Sequence, residues 1–286
     1  MDKLKTSVES GDLYGALQMF KTQHARAKKK GEFADALELA RGGAALMLEK
    51  GQLMEGADLA RDYVELSKSS PPKSDQDYDA WVENVLVLDK LFGKLEQNEE
   101  TGRERKRFMK MAVDFTSAEG PWSHGDPKLH QNLALTCVAE SDLMGASKHM
   151  LLSQKPEDAA KLIASWAKRG PEGEQDLHLT RFVLQLLVLE NLRDANVFYT
   201  SFRAQFPKLD TPLVHFCGYL LRVLERNAFP LFQQLRQKYD SALSRGNGMP
   251  TSFNAYLDKI AQVFYGVEPP KTGMGGMMDL MKGLLG

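Results

Sequence analysis

Apolar residues recur at three- and four-residue steps along most of this 286-residue chain. Tyr78, Trp81, Val85, Leu88 and Phe92 form one such series, and this spacing places all five on one face of an α-helix. No stretch shows the alternation of β-branched and polar residues, followed by a hairpin turn, that is typical of β-strands. The hydrophobic pattern therefore predicts an all-α protein.

A glycine-led motif recurs every 20 residues near the start of the chain, where GDLYGAL, GEFADAL and GQLMEGA begin at Gly11, Gly31 and Gly51. Glycine readily adopts the left-handed conformation that ends helices, and 20 residues accommodate one helix and a tight turn. The small residue five or six positions after each glycine would let two helices approach closely. Weaker copies begin at Ser141 (SDLMGA) and Asn191 (NLRDA).

Two consecutive units of this kind form a helical hairpin. Hairpins that repeat every ~34 to 47 residues are typical of tetratricopeptide and armadillo-like arrays. The strict tetratricopeptide consensus is absent. We therefore predict an irregular right-handed α-solenoid of stacked helical hairpins, tetratricopeptide-like, with a flexible C-terminal tail.

Composition divides this predicted array into parts. Residues 117–127 (SAEGPWSHGDP) should form a bend between an N-terminal half, residues 1–116, and a C-terminal half, residues 128–266. Residues 267–286 are rich in proline, glycine and methionine and end in GMGGMMDLMKGLLG. Glycine weakens helices, and a helix this short is marginal alone, so we expect this tail to be disordered in the free protein.

Charge and hydropathy exclude several classes of function. The formal net charge is −1, which provides no field to hold a polyanion, so nucleic acid is not an expected partner. No interior apolar run approaches the ~20 residues of a spanning helix, and the first twelve residues lack the apolar core of a signal peptide. We expect a soluble cytosolic protein without direct membrane insertion.

The chain shows no constellation of catalytic or metal-binding residues. A phosphate-binding GxxxxGK[ST] loop and an HExxH helix are both absent, and the six histidines are scattered. We predict that the protein is not an enzyme and binds no metal or cofactor. Two basic clusters, Lys28–Lys30 and Arg103–Arg107, are open to two interpretations: solvated helix surfaces, or docking patches for an acidic partner.

An ordered set of motifs resembles a known family over almost the whole chain. The N-terminal half contains GDLYGALQMFKTQHAR and LEKGQLMEGADLARDYVEL. The C-terminal half contains GDPKLHQNLA, DLHLTRFVLQLLVLENLRDANVFYTSF and YLDKIAQVFYGVEPP. In this order and spacing, the motifs resemble the fourth factor of the guided entry of tail-anchored proteins pathway, also called the transmembrane-domain recognition complex scaffold subunit.

The resemblance implies a non-catalytic scaffold in the delivery of tail-anchored membrane proteins to the endoplasmic reticulum. It implies that the N-terminal half contacts a dimeric targeting ATPase. The C-terminal half would grip the N-terminal segment of a ubiquitin-like-domain protein, which recruits the co-chaperone that carries the client. In animals that half of the family also meets a larger ubiquitin-like quality-control protein. Some members hold their partner with a β-hairpin, and no such hairpin is recognisable in this sequence.

Carried onto this sequence, the resemblance assigns two sets of site residues. The ATPase-binding set lies on one helix stripe and on a nearby helix: Tyr14, Gln18, Thr22, Arg26, Asp58 and Asp62. The candidates for the ubiquitin-like partner are aromatic residues of the last helices, of which two or three should lie at the interface: Phe229, Phe232, Tyr239, Phe253, Tyr256 and Phe264.

Two other functions remain open at this point. One is a client-binding chaperone that works through the methionine-rich tail, because methionine-lined surfaces adapt to many apolar ligands. The other is a helical-repeat scaffold of a different assembly, such as a vesicle coat or a proteasome lid.

Overall fold

A computed structural model describes residues 13–247 and 251–267 of the chain. These residues form fourteen α-helices and one short 3₁₀ helix, Ser244–Gly246, and contain no β-strand, so the all-α prediction is confirmed. The predicted tail lies outside the described residues from residue 268 onward. The helices are α1 (Leu13–Lys30), α2 (Phe33–Glu49), α3 (Leu53–Ser67), α4 (Asp75–Phe92), α5 (Glu99–Glu119), α6 (Pro127–Ala139), α7 (Leu143–Leu152), α8 (Pro156–Arg169), α9 (Gln175–Val188), α10 (Leu192–Gln205), α11 (Pro212–Glu225), α12 (Phe229–Lys238), α13 (Asp240–Leu243) and α14 (Phe253–Tyr265).

The chain divides into two compact units, Met1–Ser141 and Asp142–Gly286. The first unit contains α1 to α6, and the second contains α7 to α14. The segment predicted as a bend, residues 117–127, lies within the first unit, where it completes α5 and leads into α6. The proposed division of roles between residues 1–116 and 128–266 stays a prediction.

The glycine-led motif marks tight turns between consecutive helices. Gly31 and Gly51 end α1 and α2 in the left-handed conformation, with φ of 76° and 77°. In each turn the next residue donates its backbone N–H to a carbonyl of the preceding helix; Gln52, for example, bonds the Met47 carbonyl oxygen at 2.9 Å. The predicted role of the glycines is confirmed at these two turns, and Gly11 lies outside the described residues.

The same turn recurs later in the chain without glycine. After Glu190, the backbone N–H of Asn191 donates to the Leu186 carbonyl oxygen at 3.0 Å, as in the glycine turns. The turn geometry therefore persists where its sequence signal fades, which explains why the later copies of the motif look weak. Among the described residues, four other than glycine take the left-handed conformation: Ser141, Gln154, Glu190 and Asn227.

Small residues let the helices of the first unit approach closely, as the sequence predicts. Ala36 and Ala57 are fully buried. A β-carbon placed on the neighbouring Gly56 would lie only 2.6 Å from Cγ of Leu48, so α2 and α3 pack nearly backbone to backbone at this point. The side chain of Ala16, the third predicted small residue, lies outside the described part of the structure.

The second unit is built around α9. This helix is buried on nearly all sides from Leu179 to Val188, because α8, α10, α11 and α14 all pack on it. Aromatic rings fill the contact with α10: the Phe182 and Phe198 ring centroids lie 4.3 Å apart. Gln185, the polar residue that interrupts this apolar run, bonds the Tyr256 hydroxyl of α14 at 3.4 Å.

Candidate partner-binding surfaces

Three of the four predicted ATPase-binding residues of α1 point away from the core. Gln18, Thr22 and Arg26 are all exposed, at steps of four residues. Tyr14 belongs to the same helix, but its side chain lies outside the described part of the structure. The opposite stripe of α1 is buried and consists of Leu17, Phe20, His24 and Ala27.

Side chains of α1 and α3 come together at Gly43 on the surface of α2. A β-carbon on Gly43 of α2 would lie 3.1 Å from both Phe20 of α1 and Leu59 of α3. Burial lowers the pKa of His24 in α1, while the charge of the exposed Asp62 carboxylate in α3 acts in the opposite direction. The electrostatic coupling of His24 to Asp62 indicates that this acidic residue lies on the side of α3 that faces α1.

Asp58, the other predicted acidic residue, is only partly available to a partner. Its carboxylate is about half exposed and forms an ion pair with Arg61 one turn later. Arg61 also binds the buried carboxylate of Glu104 and thereby ties α3 to α5. We call the exposed set Gln18, Thr22, Arg26, Asp58 and Asp62 the α1–α3 face. It carries one cation and two anions, so it suits a polar partner surface.

The basic cluster Arg103–Arg107 contributes mainly to internal packing. Arg105 donates two hydrogen bonds to the buried Asp89 carboxylate of α4, at 2.6 and 2.9 Å. Lys106 forms an ion pair with Glu140 at 2.5 Å, whereas Arg107 is exposed. The other basic cluster, at the end of α1, is exposed, as suits cations in the last turn of a helix.

The six aromatic candidates of the second unit fall into two groups. Three are buried in the core, where a partner would reach them only if the core opened: Phe232, Phe253 and Tyr256. Three are half-buried and accessible from outside: Phe229, Tyr239 and Phe264. The assignment of two or three of the six aromatic residues to a partner interface stays a prediction.

An apolar groove of about 250 Å³ runs between α11 and α12. Its most exposed apolar members, Tyr219 and Leu231, keep 47% and 45% of their surface accessible, which is high for such large apolar side chains. Sequence reasoning missed both, although Leu231, Leu235 and Tyr239 recur at four-residue steps along one stripe. We call this the α11–α12 groove, and its walls include Tyr219, Val223, Leu231, Leu235, Lys238 and Tyr239.

The described residues provide no candidate metal centre. Within residues 13–247 and 251–267, no group of three or more histidine, cysteine, aspartate or glutamate side chains is arranged to hold a metal ion. Both cysteines, Cys137 and Cys217, are buried, and burial raises the pKa of the Cys217 thiol to about 12, which suppresses its reactive thiolate. None of the described helices is both long and apolar enough to cross a membrane.

Comparison with known proteins gives consistent matches along the chain. The family model of Golgi to ER traffic protein 4 (GET4) matches residues 30–285. Protein GET4 of Arabidopsis thaliana is 34% identical, over 99% of this chain and 94% of its own length. The human Golgi to ER traffic protein 4 homolog is 32% identical, over 99% of this chain and 85% of its own length.

A solved structure matches equally well. The crystal structure of C. therm. Get4 superposes with a TM-score of 0.82 at 27% sequence identity, covering all of this chain and 94% of the other. The match extends through both compact units, in agreement with the all-helical architecture described above. From the family model and the near full-length relatives, we conclude that this chain belongs to the GET4 family, the Golgi to ER traffic protein 4 family.

Proposed function

We propose that this chain is a non-catalytic scaffold in the post-translational delivery of tail-anchored membrane proteins to the endoplasmic reticulum. The observation that carries the proposal is the similarity over 99% of the chain to relatives named for Golgi-to-ER traffic. A scaffold of this kind acts by raising the effective concentration of one partner near another.

In this proposal the α1–α3 face binds the dimeric targeting ATPase. Its side chains are exposed and carry charges of both signs, and polar rims of this kind set the orientation and association rate of a complex. Arg26 and Asp62 are the best anchors because no ion pair between described residues occupies either side chain. Asp58 contributes less, since Arg61 already neutralises part of its charge.

The α11–α12 groove binds the N-terminal segment of the ubiquitin-like-domain protein, which brings the client-bearing co-chaperone. An exposed apolar groove between two helices accommodates the apolar face of a peptide. Tyr219 and Leu231 are its anchors, and Tyr239, one of the aromatic residues assigned from the sequence, lines the wall. A larger ubiquitin-like quality-control protein is a second candidate for the same groove.

The ATPase contact is tested by binding the purified ATPase of the same organism to the full chain, with and without ATP. Arg26→Glu combined with Asp62→Lys should weaken binding about tenfold or more, because both charges are reversed in an exposed contact. The control is Lys90→Glu, an exposed charge reversal on α4, which should bind as the native chain does. Equal affinity of all three proteins would place the ATPase elsewhere.

The groove is tested with the purified ubiquitin-like-domain protein. Leu231→Asp places a charge among apolar walls and should reduce affinity at least tenfold. The matched control is Met144→Asp on α7, which changes an even more exposed apolar residue of the same unit outside this groove. If neither protein bound the native chain at micromolar concentration, the scaffold proposal would be wrong and the family role in Golgi-to-ER traffic would need another mechanism.

A further inference from the structure

A second groove opens in the second unit, between α7 and α9, with α8 as its floor. It has a volume of about 250 Å³. Its walls repeat at helical spacing, with Met144, Lys148 and Leu151 on one side and His178 and Arg181 on the other. The mouth is open to a partner, because Met144 keeps 59% of its surface exposed.

The size of this groove favours side chains of a peptide as its occupant. Small-molecule sites usually measure ~300–1,000 Å³. The α9 wall extends from Leu177 to Gln185, and these nine residues of helix span about 12 Å, or slightly more than two turns. A space of this length and volume accommodates one or two large apolar side chains from a helix lying between the walls.

The chemistry of the walls selects the charge of that helix. The lining includes two cations, Lys148 and Arg181, and none of the lining residues carries a carboxylate. Burial lowers the pKa of His178, partly opposed by the charge of Glu174, so its imidazole is neutral near pH 7 and contributes hydrogen bonds rather than charge. No carboxylate of a described residue forms an ion pair with Arg181.

Aromatic and aliphatic side chains form the floor and the inner walls. Trp166 of α8 lies against His178, with ring centroids 5.3 Å apart. Ile163 and Phe182 are buried at the base. The groove is therefore apolar at its base and cationic beside the base, which is the complement of an amphipathic helix that carries acidic residues.

We propose that the α7–α9 groove binds an acidic amphipathic helix of another protein. One or two leucine-, methionine- or phenylalanine-type side chains occupy the apolar base. Aspartate or glutamate residues one turn away form charge-assisted hydrogen bonds with Arg181, and the positive charge of Lys148 adds to their attraction. This proposal does not rest on the function proposed above, because the groove shares no residue with the α1–α3 face or the α11–α12 groove.

Charge argues against the methionine-rich end of this chain as the occupant. Residues 268–286 contain two acidic residues, Glu268 and Asp279, and two basic residues, Lys271 and Lys282. This segment has no net negative charge to match the cationic walls. The same segment nevertheless provides a natural competitor, and it is included in the test.

The test measures binding of a fluorescein-labelled helical peptide of leucine and glutamate to the full chain by fluorescence anisotropy. The comparison peptide replaces every glutamate with lysine. We expect the acidic peptide to bind more tightly than the basic one, and its affinity should fall as the salt concentration is raised. Binding should also change the tryptophan fluorescence, and this change should be lost in a Trp166→Phe variant. Arg181→Glu should weaken binding about tenfold or more.

The controls separate this groove from a general charge effect. Arg193→Glu, an exposed charge reversal on α10, and Leu231→Asp, in the α11–α12 groove, should both leave the affinity for the acidic peptide unchanged. Met144→Asp should weaken it, and because Met144 is exposed, this variant should fold normally by circular dichroism. The same Met144→Asp protein should still bind the ubiquitin-like-domain protein, so failure here is distinguishable from failure of the scaffold proposal.

Three outcomes would overturn the proposal. The acidic and basic peptides could bind equally well or not at all. Arg181→Glu and Met144→Asp could both leave the affinity unchanged, which would place the peptide outside the groove. Finally, a peptide of residues 268–286 could bind more tightly than the acidic peptide, and that result would identify the occupant as part of this chain.

Discussion

Replacing Arg105 by alanine should destabilise the first unit strongly, although sequence alone places this residue in a basic surface cluster. Its guanidinium binds both oxygens of Asp89, a residue of α4 that is only 1% exposed. The amide of Asn132 on α6 also reaches the Asp89 carboxylate, at 3.4 Å. The hydrogen bond to Asp89 raises the pKa of Arg105, which favours the charged form of the guanidinium.

The magnitude follows from what the mutation leaves behind. Removing one partner of a buried ion pair costs about 3–5 kcal/mol, because the other charge stays buried without compensation. The Arg105 side chain is 17% exposed, so some water would reach Asp89 in the variant, and we expect a loss of about 3 kcal/mol. Arg107→Ala removes an exposed cation of the same cluster and should change the stability by no more than about 0.5 kcal/mol.

Urea unfolding followed by circular dichroism measures both values, with the first unit's transition fitted separately if two transitions appear. The double variant Asp89→Leu with Arg105→Met replaces the ion pair by apolar side chains and should recover most of the lost stability. A loss below about 1 kcal/mol for Arg105→Ala would refute the reasoning, since it would mean that Asp89 is solvated without its partner. A double variant no more stable than Arg105→Ala would refute it equally.

Three further predictions address other parts of the molecule. Gly51→Ala should cost about 1–2 kcal/mol in urea unfolding, because φ is 77° and no atom lies near the added methyl group, so the loss is entirely backbone strain; an unchanged midpoint would contradict the turn geometry. Burial lowers the pKa of His130, so acidification protonates the unfolded chain first and stability should decline as the pH falls below about 6.5. His130→Gln should flatten that profile in unfolding experiments from pH 7.5 to 5, and an equally steep profile would exclude this histidine as the source. Arg245→Ala should cost about 2 kcal/mol, because it removes a 2.6 Å hydrogen bond to the fully buried Asp176 while Arg245 itself is partly exposed; Arg226→Ala, on the surface of the same unit, serves as the control in the same urea titration.

The two interaction surfaces show how the structure changed the sequence interpretation. Sequence analysis selected aromatic residues near the end of the chain, and three of them, including Phe253, are buried in the core. Leu231 is an exposed apolar residue of the same region; it directly precedes Phe232 in the sequence but lies about 100° away around α12. Aromatic identity alone does not distinguish a core residue from an anchor, because both roles favour large apolar side chains.

The methionine-rich segment raises a question that the sequence leaves open. The predicted disorder of this segment concerns residues 268–286, which lie outside the described residues. Its acidic and basic residues balance, so its charge does not match the cationic α7–α9 groove. The peptide of residues 268–286 in the binding experiment would reveal whether the segment occupies that groove. A chain shortened after Pro270 should fold and retain both scaffold partners if the segment has no part in either interface.

Local sequence patterns determined the helices and several of their boundaries. The three- and four-residue periodicity identified the α-helical class, because each helix must bury one stripe regardless of its neighbours. Gly31 and Gly51 marked their turns, because a left-handed residue is a property of the local backbone. The equivalent residue Glu190 gave no such signal, since the surrounding helices hold it in a conformation that its side chain disfavours.

Only the tertiary structure decided which charged and apolar side chains remain available to partners. Arg105 and Arg107 have similar sequence surroundings, but Arg105 binds Asp89, a residue sixteen positions away on another helix. Arg107 is exposed and forms no ion pair with a carboxylate of the described residues. The same holds for the α7–α9 groove, whose walls come from separate helices. Availability depends on contacts between residues distant in sequence, and a local pattern contains no information about which distant helix will lie opposite.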